Sequence, residues 1–214
     1  ITGDLVVDGC SALTSFRGLK RLEAIGRTMV VRGNSSLMTI TGIEKLETVG
    51  GGIRIQGNGA LIDINALKRL RAVGAELDIS DNDSLGTLGG LKSLREVGGY
   101  VSVSGNDVLP SLKGLHALRV IGKDLLVQQN IGLKSLAGLS KLEQVGGHLT
   151  IYENEYLQDV GSIGSVKSIR GDVRIDANVS LPSCNVDRVR SRLSLAAAGR
   201  DVVIRGTDMV GRCR

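Results

Sequence analysis

The chain has 214 residues and a formal net charge of +5, with 30 glycines, 2 prolines, 3 tyrosines, 1 phenylalanine and no tryptophan. So few aromatic residues argue against an ordinary globular core and suit a narrow interior filled by Leu, Ile and Val. No apolar run approaches the roughly 20 residues that a membrane-spanning helix needs, so we expect no membrane span in this chain.

Asparagine recurs at a fixed spacing of 24 residues along most of the chain. A period of this length is typical of a solenoid, whose stacked coils share an apolar core that no single coil can bury. Because a stacked side-chain amide offers a donor and an acceptor along the axis, we expect these residues to face inward. One period before the first of them stands Cys10, which we also expect to lie inside. This Asn ladder consists of Asn34, Asn58, Asn82, Asn106, Asn130, Asn154 and Asn178.

Each repeat predicts a short strand after a glycine turn. In the stretch 142–157, LEQVGGHLTIYENEYL, two glycines turn the chain, and Leu149, Thr150 and Ile151 alternate between apolar and polar. Such strands pair in parallel in successive coils, about 4.8 Å apart, and parallel crossovers are nearly always right-handed. Residues 1–181 therefore predict a mostly all-β solenoid, a right-handed parallel β-helix of about eight 24-residue coils. Three apolar columns are expected to fill it: Ile25, Val49, Val73, Val97, Ile121, Val145 and Ile169; Leu13, Leu37, Leu61, Leu85, Leu109, Leu133, Leu157 and Leu181; and Leu22, Leu46, Leu70, Leu94, Leu118, Leu142 and Val166.

Residues 182–214 predict a cap over the last apolar layer, which a solenoid requires. Asn185 is the expected N-cap of an amphipathic capping helix that ends at Gly199, and residues 202–204 return to the strand pattern. The expected apolar face of the helix consists of Val186, Val189 and Leu193. The other end has no comparable cap and begins in the register of the repeat, so we expect a processed or trimmed N terminus.

Two cysteines, Cys184 and Cys213, flank the predicted cap. They are compatible with two buried thiols or with a disulfide, and we favour the disulfide because the pair encloses the cap. In the chain-entropy model, closing a loop of about 30 residues stabilises the fold by roughly 3–4 kcal/mol. A disulfide would indicate an oxidising compartment.

The spacing after each asparagine differs from that of ordinary leucine-rich repeats. Two residues rather than one separate Asn from the next Leu, as in the segment 106–109, NDVL, and the segment 112–115 reads LKGL. The whole motif, L-x-x-V-G-G-x-L-x-I-x-x-N-x-x-L, resembles the receptor L domain, the ligand-binding β-helix of the insulin and epidermal growth factor receptors. The resemblance extends from Ile1 to Cys213 and includes the cap.

This resemblance implies a leucine-rich-repeat-like β-helix that is extracellular or located at the cell surface. Similar domains occur in fungal cell-wall proteins and bacterial surface proteins. The 3 cysteines and the uniform coils between Ile25 and Ile169 are closer to these microbial members than to the disulfide-rich receptors. Members share a scaffold and differ in their ligands, so the resemblance specifies the fold more closely than the function.

The outward positions of the predicted strands define the face on which a ligand would bind. Within three neighbouring coils they include Tyr100, Leu126, His148 and Tyr152, which we name the tyrosine patch. Exposed tyrosines are typical of binding hot spots, so these four are the candidate ligand-binding residues. The alternative is structural, because single aromatics on strands also stabilise cross-strand packing. The three outward columns are Asp4, Thr28, Gly52, Glu76, Tyr100, Asp124, His148 and Asp172; Val6, Val30, Arg54, Asp78, Ser102, Leu126, Thr150 and Arg174; and Asp8, Arg32, Gln56, Ser80, Ser104, Gln128, Tyr152 and Asp176.

A second surface, which we name the basic ridge, follows the Gly-Leu corner of each coil. It would contact anionic polymers such as polysaccharide, lipid headgroups or nucleic acid, or else be a solvated face diluted by Glu23, Glu44, Glu47, Glu96 and Glu143. Nucleic-acid binding would require interleaved aromatics or arginines that reach bases, so we predict none. The ridge consists of Lys20, Arg21, Lys45, Lys68, Arg69, Arg71, Lys92, Arg95, Arg119 and Lys141.

Catalysis has little support in the sequence, and we predict no catalytic residue, no metal site and no cofactor. His116 and His148 fall on different faces, and no metal-ligand spacing appears. We predict a non-enzymatic, extracellular or cell-surface recognition module that binds a protein or a polysaccharide on its main sheet. The alternatives are a structural spacer or adhesin repeat segment without a discrete ligand and, more distantly, a β-helix carbohydrate-active enzyme that uses the outward carboxylates.

Overall fold

In the computed structural model, which describes residues 1–206, the chain winds into a parallel β-solenoid that ends in one α-helix. The predicted fold class is confirmed, with about seven turns rather than about eight coils. The difference arises because eight strands spaced one period apart are joined by only seven intervals. The strands are β1 Leu5–Asp8, β2 Ala24–Ile25, β3 Met29–Arg32, β4 Thr48–Val49, β5 Ile53–Gln56, β6 Ala72–Val73, β7 Leu77–Ser80, β8 Glu96–Val97, β9 Val101–Ser104, β10 Val120–Ile121, β11 Leu125–Gln128, β12 Gln144–Val145, β13 Leu149–Tyr152, β14 Ser168–Ile169, β15 Val173–Asp176 and β16 Val202–Ile204.

The four-residue strands form the main sheet, in the order β1-β3-β5-β7-β9-β11-β13-β15-β16, and the two-residue strands form a second sheet that runs from β2 to β14. Every pairing is parallel. Leu125 faces Leu149 in the main sheet and Val120 faces Gln144 in the second, each pair one period apart. The predicted register is therefore confirmed, and residues of one column stand at the coil spacing of about 4.8 Å.

The third side of each coil consists of isolated bridges and short 3-10 turns. Asp63 Oδ1 accepts the Asn65 N–H at 2.8 Å, and Asp159 Oδ1 accepts the Gly161 N–H at 2.8 Å. These bonds satisfy amides that the tight corner leaves without a backbone partner. The 3-10 turns are Arg17–Leu19, Asn65–Leu67, Gly89–Leu91, Lys113–Leu115 and Gly161–Ser165.

The three predicted apolar columns are buried along almost the whole solenoid, which confirms the predicted core. The exceptions are Leu13 and Leu22, which are only partly buried because no described coil covers the outer side of the first one. Cys10 belongs to the same first coil and is exposed, so the prediction that it lies in the interior was wrong.

The Asn ladder is buried and continuous, as predicted. Asn106 Oδ1 accepts both the backbone N–H and the side-chain Nδ2 of Asn82, at 3.3 and 3.4 Å. Its own Nδ2 donates to Ile79 O, Ser104 O and Asn130 Oδ1, at 3.0, 2.9 and 3.2 Å. Each amide thus connects three coils and leaves no polar atom of the column unpaired.

A glycine column sets how closely the coils stack at the turn before the main sheet. A Cβ atom built on Gly98 would lie 2.3 Å from the carbonyl oxygen of Gly74, and one built on Gly122 would lie 2.1 Å from that of Gly98. Contacts this short are essentially never observed for real side chains, so a side chain at Gly98 or Gly122 would force the backbone to shift; the equivalent residue of the last coil is Arg170.

The cap follows the last coil, and its helix, α1, spans Ser183–Ala197. The predicted N-cap was wrong: α1 begins before Asn185, whose Nδ2 instead donates to Gln158 O at 2.6 Å. The predicted apolar face is buried, and the helix ends where Ala198 and Gly199 turn to positive φ. Strand β16 then pairs with β15 as predicted.

The predicted Cys184–Cys213 disulfide involves a residue outside the described part of the chain. Cys184 lies in the first turn of α1, and Cys213 falls beyond residue 206. The disulfide therefore stays a prediction, and so does the extent of a cap over residues 182–214.

Candidate binding face

The main sheet presents alternate residues of each strand outward, and the tyrosine patch lies on this face. Leu126 stands in β11 and Tyr152 in β13, while Tyr100 and His148 immediately precede β9 and β13. The four residues therefore fall in three adjacent coils, as predicted, and Tyr100 lies about 10 Å from Tyr152 along the axis. His148 is exposed, and the other three are half-buried.

Tyr100 stands beside a cluster of charged side chains from the two preceding coils. Partial burial is the largest cause of the raised pKa of Tyr100, and the nearby carboxylates of Asp78 and Glu76 raise it further. Arg54 pairs with Glu76 at 2.6 Å, and Gln56 Nε2 donates to Asp78 Oδ2 at 2.8 Å. Asp78 Oδ1 is buried and has no hydrogen-bond partner among the described residues. The phenol therefore stays protonated and is able to donate a hydrogen bond to a ligand.

Tyr152 is held by a guanidinium. The Arg174 guanidinium carbon lies 4.6 Å from the centre of the Tyr152 ring, a cation–π distance. Arg174 is itself 3.5 Å from Asp176, which Arg205 also contacts at 3.0 Å. The pKa of Tyr152 is raised by its hydrogen bond to Glu153, by the negative charge of Glu153 and by desolvation. The ring is thus supported on a network of side chains and presented with limited freedom.

His148 has a structural role that its sequence position did not reveal. Its ring Nδ1 accepts the backbone N–H of Asp172 at 3.0 Å, and the backbone N–H of His148 donates to Asp124 Oδ1 at 2.7 Å. Asp4 Oδ1 makes the equivalent bond to Thr28 N at 2.8 Å. The column before the main strands therefore uses a side-chain acceptor to bind the amide of the next coil. When neutral, His148 keeps its ring proton on Nε2 in this arrangement.

Leu126 provides the apolar centre of the patch. Its neighbours across β9 and β13 are Ser102 and Thr150, whose side chains are shorter. Leu126 remains half-buried rather than covered. A ligand placed over the patch would therefore contact an aliphatic surface between two phenols.

The outward face of the main sheet is acidic, although the whole chain is basic. Its three columns contain seven carboxylates and three guanidiniums. The Arg32–Asp8 and Arg54–Glu76 pairs neutralise part of this charge. An anionic ligand would meet net repulsion on this face. The charged residues concerned are Asp4, Asp8, Glu76, Asp78, Asp124, Asp172 and Asp176, with Arg32, Arg54 and Arg174.

The structure also exposes apolar side chains that sequence reasoning missed. Tyr156 lies at the corner after the Asn ladder and is 48% exposed, and Met38 and Ile62 are 52% and 46% exposed in adjacent coils. The signal was present in the sequence, because most other coils carry Ala, Ser or Gly at the position of Tyr156. These residues lie off the main sheet and are therefore useful controls.

The described part of the chain contains neither a metal-holding cluster nor a membrane-spanning helix. Within residues 1–206, no three or more His, Cys, Asp and Glu side chains group in a way that would hold a metal ion. No helix formed by these residues combines the length and apolar character that crossing a bilayer requires.

Comparisons with known proteins found no family model, no curated protein and no solved structure that matches the chain significantly. The resemblance to the receptor L domain therefore stays a prediction that depends on the repeat motif alone.

Proposed function

We propose that the chain is a non-enzymatic recognition module, extracellular or at the cell surface, that binds a protein or a glycan across its main sheet. The observation that carries the proposal is the tyrosine patch. Tyr100 precedes β9 and Tyr152 stands in β13, two coils apart on the same sheet, with Leu126 of β11 between them. Tyrosines held in place lose little entropy on binding, and they contribute a large apolar surface together with a hydroxyl group.

The dimensions of the outward face of the main sheet limit which kind of ligand it could bind alone. Each main-sheet strand of four residues, together with the one residue that precedes it, spans about 17 Å across the face. The nine stacked strands extend about 38 Å along the axis. The resulting area of about 650 Å² is below the roughly 800 Å² that each partner buries in a standard protein interface. A protein partner would therefore also cover one flank, whereas an extended neutral glycan would fit along the columns.

The patch is tested by the double substitution Tyr100→Ala with Tyr152→Ala. Wild type and variant are compared on arrays of neutral glycans and in quantitative capture from cell-surface extract. We expect the variant to lose saturable binding while its melting temperature stays close to that of wild type. The matched control is Tyr156→Ala, which removes an exposed tyrosine from outside the main sheet. Unchanged capture by the double variant would show that the patch is not the contact surface.

A structural spacer is the second candidate, and the regularity of the stack favours it. Hydrogen bonds of the Asn ladder continue from Cys10 to Asn178 without interruption. A spacer needs such continuity and no ligand. It would show no saturable binding in either assay, with wild type and the double variant indistinguishable.

A further inference from the structure

The basic ridge forms a linear array of cations along the solenoid axis. Arg95 N donates to Arg71 O at 2.9 Å, and Arg119 N donates to Arg95 O at 2.9 Å. Equivalent residues therefore stack at the coil spacing of about 4.8 Å, which places three guanidiniums on neighbouring coils. Lys68 and Lys92 repeat the arrangement in a parallel column three residues earlier in each coil.

The central part of this array forms no ion pair within the described chain. Among residues 1–206, no carboxylate forms an ion pair with any member of the central group, and every member is exposed. Glutamates flank the central group at both ends. Glu23 and Glu47 lie beside Arg69 on one side. On the other side, Glu143 pairs with Arg119 at 2.7 Å and Lys167 at 2.9 Å. Lys167 and then Arg119 hold the pKa of Glu143 below its usual value. The central group consists of Lys68, Arg69, Arg71, Lys92 and Arg95.

Like charges stacked at this spacing repel one another, and an external polyanion would relieve that repulsion. The ridge carries no Trp, Tyr or Phe on which bases would stack, and no large apolar side chain that would enter a bilayer. A flat sheet surface also lacks the projecting helix or ribbon that reads a DNA groove. The array therefore suits a flexible polymer with regularly spaced negative charges.

A shallow depression at the N-terminal side of the central group adds hydrogen-bond acceptors. It has a volume of about 360 Å³, at the lower end of the range for ligand pockets. Arg69 and Lys45 line it together with Glu23 and Glu47. Carboxylates accept hydrogen bonds and repel anions, so they would suit a ligand that carries hydroxyl donors as well as negative groups.

From these observations we propose that the basic ridge binds a linear acidic polysaccharide, which lies along the solenoid axis across the central coils. Arg71 and Arg95 contact its carboxylate or sulfate groups, and Glu47 accepts from its hydroxyl groups. The basic ridge is separate from the tyrosine patch, and its positive charge contrasts with the acidic outward face of the main sheet. The proposal therefore does not depend on the function proposed for the main sheet.

The test is calorimetric titration of the whole chain with polygalacturonate and with dextran sulfate. The ridge variant carries Arg69→Gln, Arg71→Gln and Arg95→Gln. A control with the same change in net charge carries Arg27→Gln, Arg170→Gln and Arg200→Gln, three exposed positions off the ridge. We expect wild type and control to bind at least one of the two polymers, more weakly as salt rises, and the ridge variant to lose about tenfold or more in affinity.

Two further measurements make the result specific. Circular dichroism checks that the ridge variant is folded, and a variant with Arg71→Lys and Arg95→Lys should retain most of the affinity because it retains the charge. Absence of binding to both polymers, or equal losses in the ridge variant and the control, would overturn the proposal. So would equally tight binding of poly-glutamate, duplex DNA or phosphatidylserine vesicles, because the ridge would then recognise another class of polyanion or charge alone.

Discussion

Replacing Asn106 with alanine tests the role of the Asn ladder in stability. Asn106 is fully buried, and its amide accepts from Asn82 and donates to Ile79, Ser104 and Asn130. The substitution leaves the buried backbone N–H of Asn82 without an acceptor, because Asn106 Oδ1 is the partner that the structure gives it.

The expected loss follows from these bonds. A buried donor without a partner costs about 1–3 kcal/mol, and each hydrogen bond lost elsewhere contributes about 0.5–1.5 kcal/mol net. Each Nδ2 divides two hydrogens among three acceptors, so Asn82 Nδ2 keeps Ile55 O and Ser80 O, and the two hydrogens of Asn106 Nδ2 account for two further lost bonds. The free energy of unfolding should therefore fall by about 2–6 kcal/mol, a large effect for one substitution.

Urea unfolding, followed by circular dichroism, measures this change. The matched control is Cys10→Ala, in the same column at the exposed end, where the backbone N–H rather than the side chain donates to Asn34 Oδ1 at 2.8 Å. The control should stay within about 0.5 kcal/mol of wild type. A loss below about 1 kcal/mol for Asn106→Ala would refute the reasoning, because the ladder would then contribute little beyond packing.

Three further predictions concern packing and ionisation. Gly98→Ala should destabilise the fold by about 2–3 kcal/mol in the same assay. The control Gly59→Ala should not, because its new Cβ meets nothing within 4 Å. Equal effects of the two substitutions would contradict the close stacking of the coils. Tyr100 should titrate above the usual tyrosine range in ultraviolet absorbance, and Asp78→Asn should lower its pKa; no change would show that the carboxylate is not a cause. The Glu143 carboxyl should titrate below its usual range by NMR. Its contribution to stability is therefore present above the usual pKa and is lost as the pH falls through the lowered pKa. A pKa at or above the usual value would contradict its ion pairs.

The repeat made most of the fold predictable. Because the period is uniform, one coil determined the alternation of Leu149 to Ile151, the inward Asn ladder and the parallel register of every coil. The errors fall where the repetition ends. Cys10 is exposed because its outer side lacks a covering coil, and α1 begins at Ser183, so Asn185 lies within the helix and its side chain bonds to Gln158.

The candidate site was only partly predictable. The pattern placed Tyr100 and Tyr152 correctly on one face, since outward positions follow from strand alternation. It could not show that Arg174 lies against Tyr152, or that His148 accepts a backbone N–H, because both depend on side-chain geometry between coils. Nor could it show that the central group of the basic ridge forms no ion pair within residues 1–206, because the sequence indicates which charges are near one another and not which of them meet.

The most direct test of recognition by the main sheet is competition for binding to intact cells of the source organism. Labelled wild-type chain is bound at saturation, and unlabelled variants are added at increasing concentration. We expect wild type and Tyr156→Ala to displace the label with equal potency, and the double variant Tyr100→Ala with Tyr152→Ala to displace it only at much higher concentration. Displacement by the double variant at the wild-type concentration, or binding that never saturates, would contradict a ligand site on the main sheet.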